Sequence, residues 1–158
     1  MSTSRGSVDL DGHRTSEEHV MLRGMSTVAL LAEDFEGAKR WYTDLLGFPP
    51  YFDQPWYAEF RVGDHQQELG VLNAQYAADL GGVPAVDRPG GVVLYWHVDD
   101  LDAALARTLE LGARVFQPVR EFGEGFTGAC VVDPFGNLLG LMHNAHYLDV
   151  LQRNASVD

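Results

Sequence analysis

Apolar and polar positions along the chain form one pattern that occurs twice. The stretch STVALLAEDFEGAKRWYTDLLGF contains a short apolar run, an aspartate, an amphipathic segment and a Leu-Gly ending, and VVLYWHVDDLDAALARTLELGARV repeats that order. Asp34 and Asp100 hold the same place in the two copies and are 66 residues apart. An internal repeat of this kind predicts two similar structural units.

Each copy predicts one amphipathic helix with a defined start and end. Asp34 and Asp100 are suited to cap the first turn, because a carboxylate can accept hydrogen bonds from its free amides. Gly47 and Gly112 supply the left-handed residue that ends a helix. Apolar residues at helical spacing then form one stripe on each helix, predicted to pack on a sheet: Phe35, Ala38, Trp41, Tyr42, Leu45 and Leu46, and Leu101, Ala104, Leu105, Thr108, Leu109 and Leu111.

Short strands separated by turn signals follow each helix, so each half is predicted as strand-helix-strand-strand-strand. The predicted domain organisation is a disordered N-terminal arm (1–23), a first βαβββ module (24–74), a Gly/Pro-rich linker (75–90), a second βαβββ module (91–144), and a C-terminal helix or tail (145–158). The predicted strands cover residues 56–62, 66–72, 115–119, 126–132 and 138–143.

Composition narrows the classes of partner. The chain of 158 residues has 11 Lys and Arg against 23 Asp and Glu, a formal charge of -12. This charge disfavours nucleic acid and anionic membranes and favours cationic ligands. No segment approaches the roughly 18 apolar residues of a membrane span, and the N-terminal residues lack the apolar run of a signal peptide. A cytoplasmic location is therefore expected.

The segments DFEGAKRWYTDLLGF, DDLDAALARTLELGA and DPFGNLLGL resemble the vicinal oxygen chelate superfamily, which includes glyoxalases, bleomycin-resistance proteins and extradiol dioxygenases. The resemblance covers roughly Met25 to Met142. It implies an α+β fold of two tandem βαβββ modules whose curved mixed sheets enclose a shared cavity, with the helices on the outside. The family resemblance and the small core of each module also predict a homodimer.

Metal-dependent members of that superfamily place a histidine seven residues before each helix-starting aspartate and a glutamate seven residues after the aspartate of the Asp-Pro turn. The corresponding residues here are Thr27, Val93 and Gly140. A fourth carboxylate of the glyoxalase branch corresponds to Glu59 or Glu68. Because a transition-metal site needs about three converging protein ligands, we predict a cavity with no metal and no other cofactor.

Strand alternation predicts which side chains face the cavity. If Val93 occupies a ligand position, Tyr95 and His97 also face the cavity. In WYAEFRV, Ala58 and Phe60 are suited to face the helix, which leaves the alternate residues for the cavity. The predicted ligand-binding residues are Tyr57, Glu59, Arg61, Tyr95, His97, Phe126 and Met142.

Simpler interpretations stand beside these assignments. His97 is equally well explained as a core histidine hydrogen-bonded to a backbone carbonyl, and Glu59 with Arg61 as a solvated strand face. The segment REFGEGFTG, residues 120–128, is predicted as a loop, with a flexible lid as the alternative.

The leading hypothesis is a protein that binds a small molecule, of which a cation is one option, in a metal-free cavity. The alternative is a glyoxalase-type lyase, isomerase or dioxygenase that uses non-standard metal ligands (His97, Glu59, Glu68) or metal-free acid–base chemistry at His97 or Glu59. A third hypothesis is a non-catalytic dimeric module whose partner is a protein. The sequence leaves open whether the protein is an enzyme and which ligand it binds.

Overall fold

The computed structural model of the protein describes residues 26–76 and 92–156. The predicted N-terminal arm and residues 77–90 of the predicted linker lie outside the described residues. The elements, in chain order, are β1 (Thr27–Ala32), α1 (Phe35–Leu46), β2 (Phe52–Gln54), β3 (Tyr57–Val62), β4 (Gln67–Asn73), a 3-10 turn (Ala74–Tyr76), β5 (Leu94–His97), α2 (Leu101–Glu110), β6 (Arg114–Gly123), β7 (Phe126–Val132), β8 (Leu138–Asn144) and α3 (Ala145–Ala155).

The strands form two four-stranded mixed sheets with the same topology. Their orders are β1-β4-β3-β2 and β5-β8-β7-β6. In each sheet the first strand pairs in parallel with the last, and the other pairs are antiparallel. The predicted α+β class and repeated βαβββ order are confirmed, and we call β1 to β4 with α1 the first module and β5 to β8 with α2 the second module.

The predicted helix caps are confirmed in both modules. The Asp34 carboxylate accepts a hydrogen bond from the Gly37 amide at 2.9 Å, and Asp100 accepts one from Ala103 at 2.9 Å. Gly47 has φ 82° and Gly112 has φ 97°, a backbone conformation that glycine adopts without steric cost.

Two strand predictions are corrected. Three strands were expected after α1, but the position of β2 was not predicted, because its three residues are too few to show an alternating pattern. The loop predicted at residues 120–128 is wrong: β6 continues to Gly123, β7 begins at Phe126, and a tight turn connects them. The three glycines suggested a loop, but Gly123 ends β6 opposite Phe126, and Gly125 with φ 79° supplies the positive φ of the hairpin turn between them.

The modules share one hydrophobic core, which α1 joins to both sheets. Trp41 and Tyr42 are 7% and 2% exposed, as expected for the core stripe of a helix. The Trp41 Nε1–H donates to the Leu111 carbonyl at the end of α2 (2.7 Å). The Tyr42 hydroxyl donates to the buried Asp133 carboxylate of the second module (2.7 Å). These contacts fix one module against the other.

Residues 145–155 of the predicted C-terminal helix or tail form helix α3. The Asn144 side chain caps its first turn by accepting from the Tyr147 amide at 2.9 Å. The Tyr147 hydroxyl donates to Asp64 in the β3–β4 turn, so α3 also contacts the first module. Within residues 26–76 and 92–156, no helix has the length and apolarity needed to cross a membrane.

Candidate functional site

The first sheet buries one face under α1 and leaves the other without a helix. Ala58 and Phe60 of β3 and Leu69 and Val71 of β4 belong to the core, which confirms the predicted alternation. The strand register places the intervening residues in rows on the opposite face. We call this the first helix-free face, and its polar residues are Thr27, Tyr57, Glu59, Arg61 and Glu68.

A hydrogen-bond network centred on Glu59 covers this face. The hydroxyls of Tyr51 and Tyr57 donate to the two carboxylate oxygens of Glu59, which is only 9% exposed. Tyr51 Oη also lies 3.5 Å from Glu68 Oε1, and Thr27 Oγ1 donates to Glu68 Oε2 at 2.6 Å. Both glutamates therefore lie on the helix-free face, and Tyr51, which the sequence analysis missed, joins them.

The two tyrosines remain hydrogen-bond donors at neutral pH. Burial, and then the hydrogen bond to Glu59, raise the pKa of Tyr57 well above its usual value. The hydrogen bond to Glu59 also raises the pKa of Tyr51. The Arg61 guanidinium lies 4.0 Å from the centroid of the Tyr51 ring, a distance typical of a cation–π contact. The arrangement presents a carboxylate held in place by donors beside aromatic rings.

The corresponding face of the second sheet is more apolar. The rings of Tyr95 and Phe122 meet edge to face at 6.0 Å between centroids. The Arg120 guanidinium lies 4.7 Å from the Phe122 ring centroid. Gly128 leaves room for this cluster, because an added Cβ would be 3.3 Å from Phe122 Cε2 and 3.4 Å from Met142 Cε. We call this cluster the second helix-free face.

A glycine lies under a tyrosine ring at the same place in each sheet. Gly70 is opposite Ala29 in the β1–β4 pair, and Gly140 is opposite Tyr95 in the β5–β8 pair. Ala29 and Tyr95 have the same 66-residue separation as the two helix caps, so the two glycines are equivalent in the repeat. A Cβ at Gly70 would collide with the Tyr57 ring and hydroxyl, and one at Gly140 would lie 2.5 Å from Tyr95 Cδ1.

The sequence family described as the Glyoxalase/Bleomycin resistance protein/Dioxygenase superfamily matches residues 24–141. The chain belongs to this superfamily.

Similar proteins agree on the fold. A glyoxalase-related enzyme from Fulvimarina pelagi is 22% identical, with 78% of this chain and 89% of that chain covered and a TM-score of 0.65. Lactoylglutathione lyase from Agrobacterium tumefaciens is 21% identical, with 76% and 92% covered and a TM-score of 0.61. A curated relative from Mycobacterium tuberculosis, named "Putative glyoxylase CFP32", is 29% identical over 118 residues. This chain spans 43% of the length of that relative.

The residues at the ligand positions of metal-dependent superfamily members do not fit a metal ion. Thr27 is bonded to Glu68, Val93 precedes β5 and is 36% exposed, and Gly140 lies beneath the Tyr95 ring. In the part of the chain that the structure describes, no three His, Cys, Asp or Glu side chains converge in a way that could hold a metal ion.

His97 is largely buried, as in its core-histidine alternative, but its backbone partner is an amide and not the expected carbonyl. Its Nδ1 accepts a hydrogen bond from the Asn144 amide at 3.2 Å, and its ring stacks on Tyr147 with centroids 4.6 Å apart. Its side chain is 9% exposed, and Nε2 lies 3.4 Å from Asp99 Oδ1. A role for His97 in ligand binding stays a prediction.

The predicted site residues thus form two groups. Tyr57, Glu59 and Arg61 lie together on the first helix-free face, while Tyr95 and Met142 lie on the second. Phe126 begins β7 opposite Asn144, at the end of the sheet. Phe122, which was missed because it lay in the predicted loop, contacts the second group. The pairing of β6 with β7 shifts register three times, so no regular alternation was present to identify it.

Proposed function

We propose that the protein binds a small, partly aromatic molecule on its helix-free faces without a metal ion. The main support for this proposal is a glycine under a tyrosine ring at the equivalent place in each module. Tyr57 covers Gly70, and Tyr95 covers Gly140. Aromatic rings offer large apolar contact area with defined orientation. A cationic ligand is compatible with Glu59 and Glu68, since the only cation in the first group is Arg61.

Metal analysis and native mass spectrometry test this proposal. Full-length protein expressed in medium with added Ni, Zn, Fe and Mn should contain substoichiometric metal after dialysis, because the three ligand positions lack donors suited to these ions. We expect native spectra to show a small-molecule adduct that Tyr95→Ala removes. Tyr76→Ala, a tyrosine in the 3-10 turn, is the matched control. About one retained metal ion per chain would contradict the metal-free part of the proposal.

Proton transfer at Glu59 is a second candidate function. The observation that favours it is a carboxylate that is 9% exposed and bonded to two tyrosine hydroxyls. A buried carboxylate near a bound substrate can act as acid or base. If the protein is an enzyme, Glu59→Gln should abolish turnover of the identified ligand while its affinity stays within a few-fold of that of the parent. If the protein only binds the ligand, neither the parent nor the variant should show turnover.

We also propose a homodimer in which the second sheet provides part of the interface. Strand β6 is an edge strand, and it exposes four large apolar side chains by 43% to 57%: Val115, Phe116, Val119 and Phe122. An exposed apolar edge favours association with another chain. Light scattering should give the mass of two chains, and Phe116→Asp should shift the protein toward one chain. A parent protein with the mass of one chain across micromolar concentrations would contradict the dimer.

A further inference from the structure

A separate cavity of about 510 Å³ lies between the two modules and α3. The first module contributes Val28, Val62 and Leu69, which belong to the helix-packed side of the first sheet. The volume is in the range of small-molecule sites. We call this the inter-module pocket, and its remaining principal lining residues are Leu94, Trp96, His97, Tyr147 and Val150.

The inter-module pocket is distinct from the helix-free faces. Val28 and Leu69 alternate along β1 and β4 with Thr27 and Glu68, so they point to the opposite side of the sheet. Glu68 of β4 and Tyr95 and His97 of β5 have the strand parity of the helix-free faces and also line the pocket, so the two candidate sites share this border.

The wall of the pocket is rich in aromatic groups. His97 and Tyr147 are stacked with 17° between their ring planes. The Trp96 indole Nε1–H is buried and has no hydrogen-bond partner among the described residues. Buried donors are almost always paired, so the unpaired Trp96 N–H is an exception in a side chain that lines this pocket.

The charges around the pocket are negative. Among the described residues that line it, none is Lys or Arg. A neighbouring cavity shares Gly63, His97 and Tyr147 with it and is also lined by Asp64, Asp99 and Asp100. The Asp99 side chain is 97% exposed, and its Oδ1 lies 3.4 Å from His97 Nε2. In the described part of the chain, Asp99 forms no ion pair with Lys or Arg. An anion would therefore be repelled, whereas a cation gains both from the carboxylates and from the aromatic faces.

We propose that the inter-module pocket binds an aromatic cation, with its ring system against Trp96, Leu94 and Val150 and its positive charge directed toward Asp64 and Asp99.

Three probes of similar size and different charge test this proposal on the full-length protein: N-methylquinolinium, neutral quinoline and 2-naphthoate. The indole N–H resonances of the three tryptophans report binding by NMR. We expect the Trp96 signal to shift, while that of Trp41, which already donates to Leu111, stays in place. The cation should bind roughly two- to fivefold more tightly than quinoline, and naphthoate should bind most weakly.

Variants separate the pocket from the helix-free faces. Val150→Trp should fill the pocket and weaken N-methylquinolinium binding by about tenfold or more, whereas Leu109→Trp, on the exposed surface of α2, should not. The double variant Asp64→Asn, Asp99→Asn should remove the preference for the cation but retain quinoline binding. Tyr57→Phe on the first helix-free face should leave the affinity unchanged.

Several results would overturn the proposal: no shift of the Trp96 signal, equal affinity for the three probes, tighter binding of naphthoate, or loss of binding in Tyr57→Phe. The last result would place the probe on the helix-free face instead. Tyr95 borders both regions, so Tyr95→Ala does not separate them. Tyr57→Phe and metal analysis concern only the helix-free faces, and with them the two proposals can fail independently.

Discussion

Replacement of Asp133 by alanine should lower the free energy of unfolding by about 3–5 kcal/mol, because several buried donors would lose their acceptor at once. Asp133 is 2% exposed. It accepts hydrogen bonds from the amides of Phe135 (2.9 Å) and Asn137 (2.8 Å) and from the Tyr42 hydroxyl (2.7 Å). Removing the carboxylate also removes the cost of burying it, but hydrogen bonds to charged groups contribute about 1.5–3 kcal/mol each, so the loss dominates.

Urea unfolding of Asp133→Ala and Tyr42→Phe measures this difference. Tyr42→Phe removes one of the hydrogen bonds to Asp133, the one donated by the Tyr42 hydroxyl, and should cost about 1–2 kcal/mol. The urea dependence of the free energy should change little for either variant, since the same surface becomes exposed on unfolding. An Asp133→Ala variant within about 1 kcal/mol of the parent would show that the turn does not depend on this carboxylate.

The network at Asp133 explains why the Asp-Pro turn occurs in a chain without the usual metal ligands. Asn137 Nδ2 donates to the Leu31 carbonyl of β1 at 3.1 Å, and Tyr42 of α1 donates to Asp133. The turn that precedes β8 therefore contacts both β1 and α1 of the first module. Its sequence is required by packing, whatever ligand the protein binds.

Local features of the fold were predictable from the sequence, and long-range contacts were not. The caps at Asp34 and Asp100 depend on residues three positions away, so a short pattern identifies them. The bond from Tyr42 to Asp133 joins residues 91 positions apart, and no local pattern encodes it. A β-hairpin at Gly123 and Gly125 was interpreted as a loop because glycines mark both kinds of segment.

The same limit applies to the candidate site. Alternation correctly grouped Tyr57, Glu59 and Arg61 on one face, because side chains in a strand alternate strictly. It could not find Tyr51, which lies in the connection before β2 and reaches Glu59 only through the fold. Nor could it show that Gly70 and Gly140 lie under tyrosine rings, since that needs the register of two strand pairs.

Gly140→Ala should lower the free energy of unfolding by about 1–3 kcal/mol, because the new methyl group would overlap the Tyr95 ring and force it to move. The added Cβ would lie 2.5 Å from Tyr95 Cδ1 and 2.7 Å from Cγ, which are atoms at the rigid base of the side chain. In a Tyr95→Ala background the overlap is absent, and the same substitution should instead stabilise the protein by about 0.4–1 kcal/mol, since alanine restricts the unfolded chain more than glycine does. A double-mutant cycle measured by urea unfolding gives both values.

Gly70→Ala with and without Tyr57→Ala repeats the test in the first module, where the overlap involves the far end of the ring. Equal effects of Gly140→Ala in both backgrounds would mean that the Tyr95 ring does not require a glycine at position 140. The proposed ligand site would then lose its main support, which is the position of a tyrosine ring over a glycine.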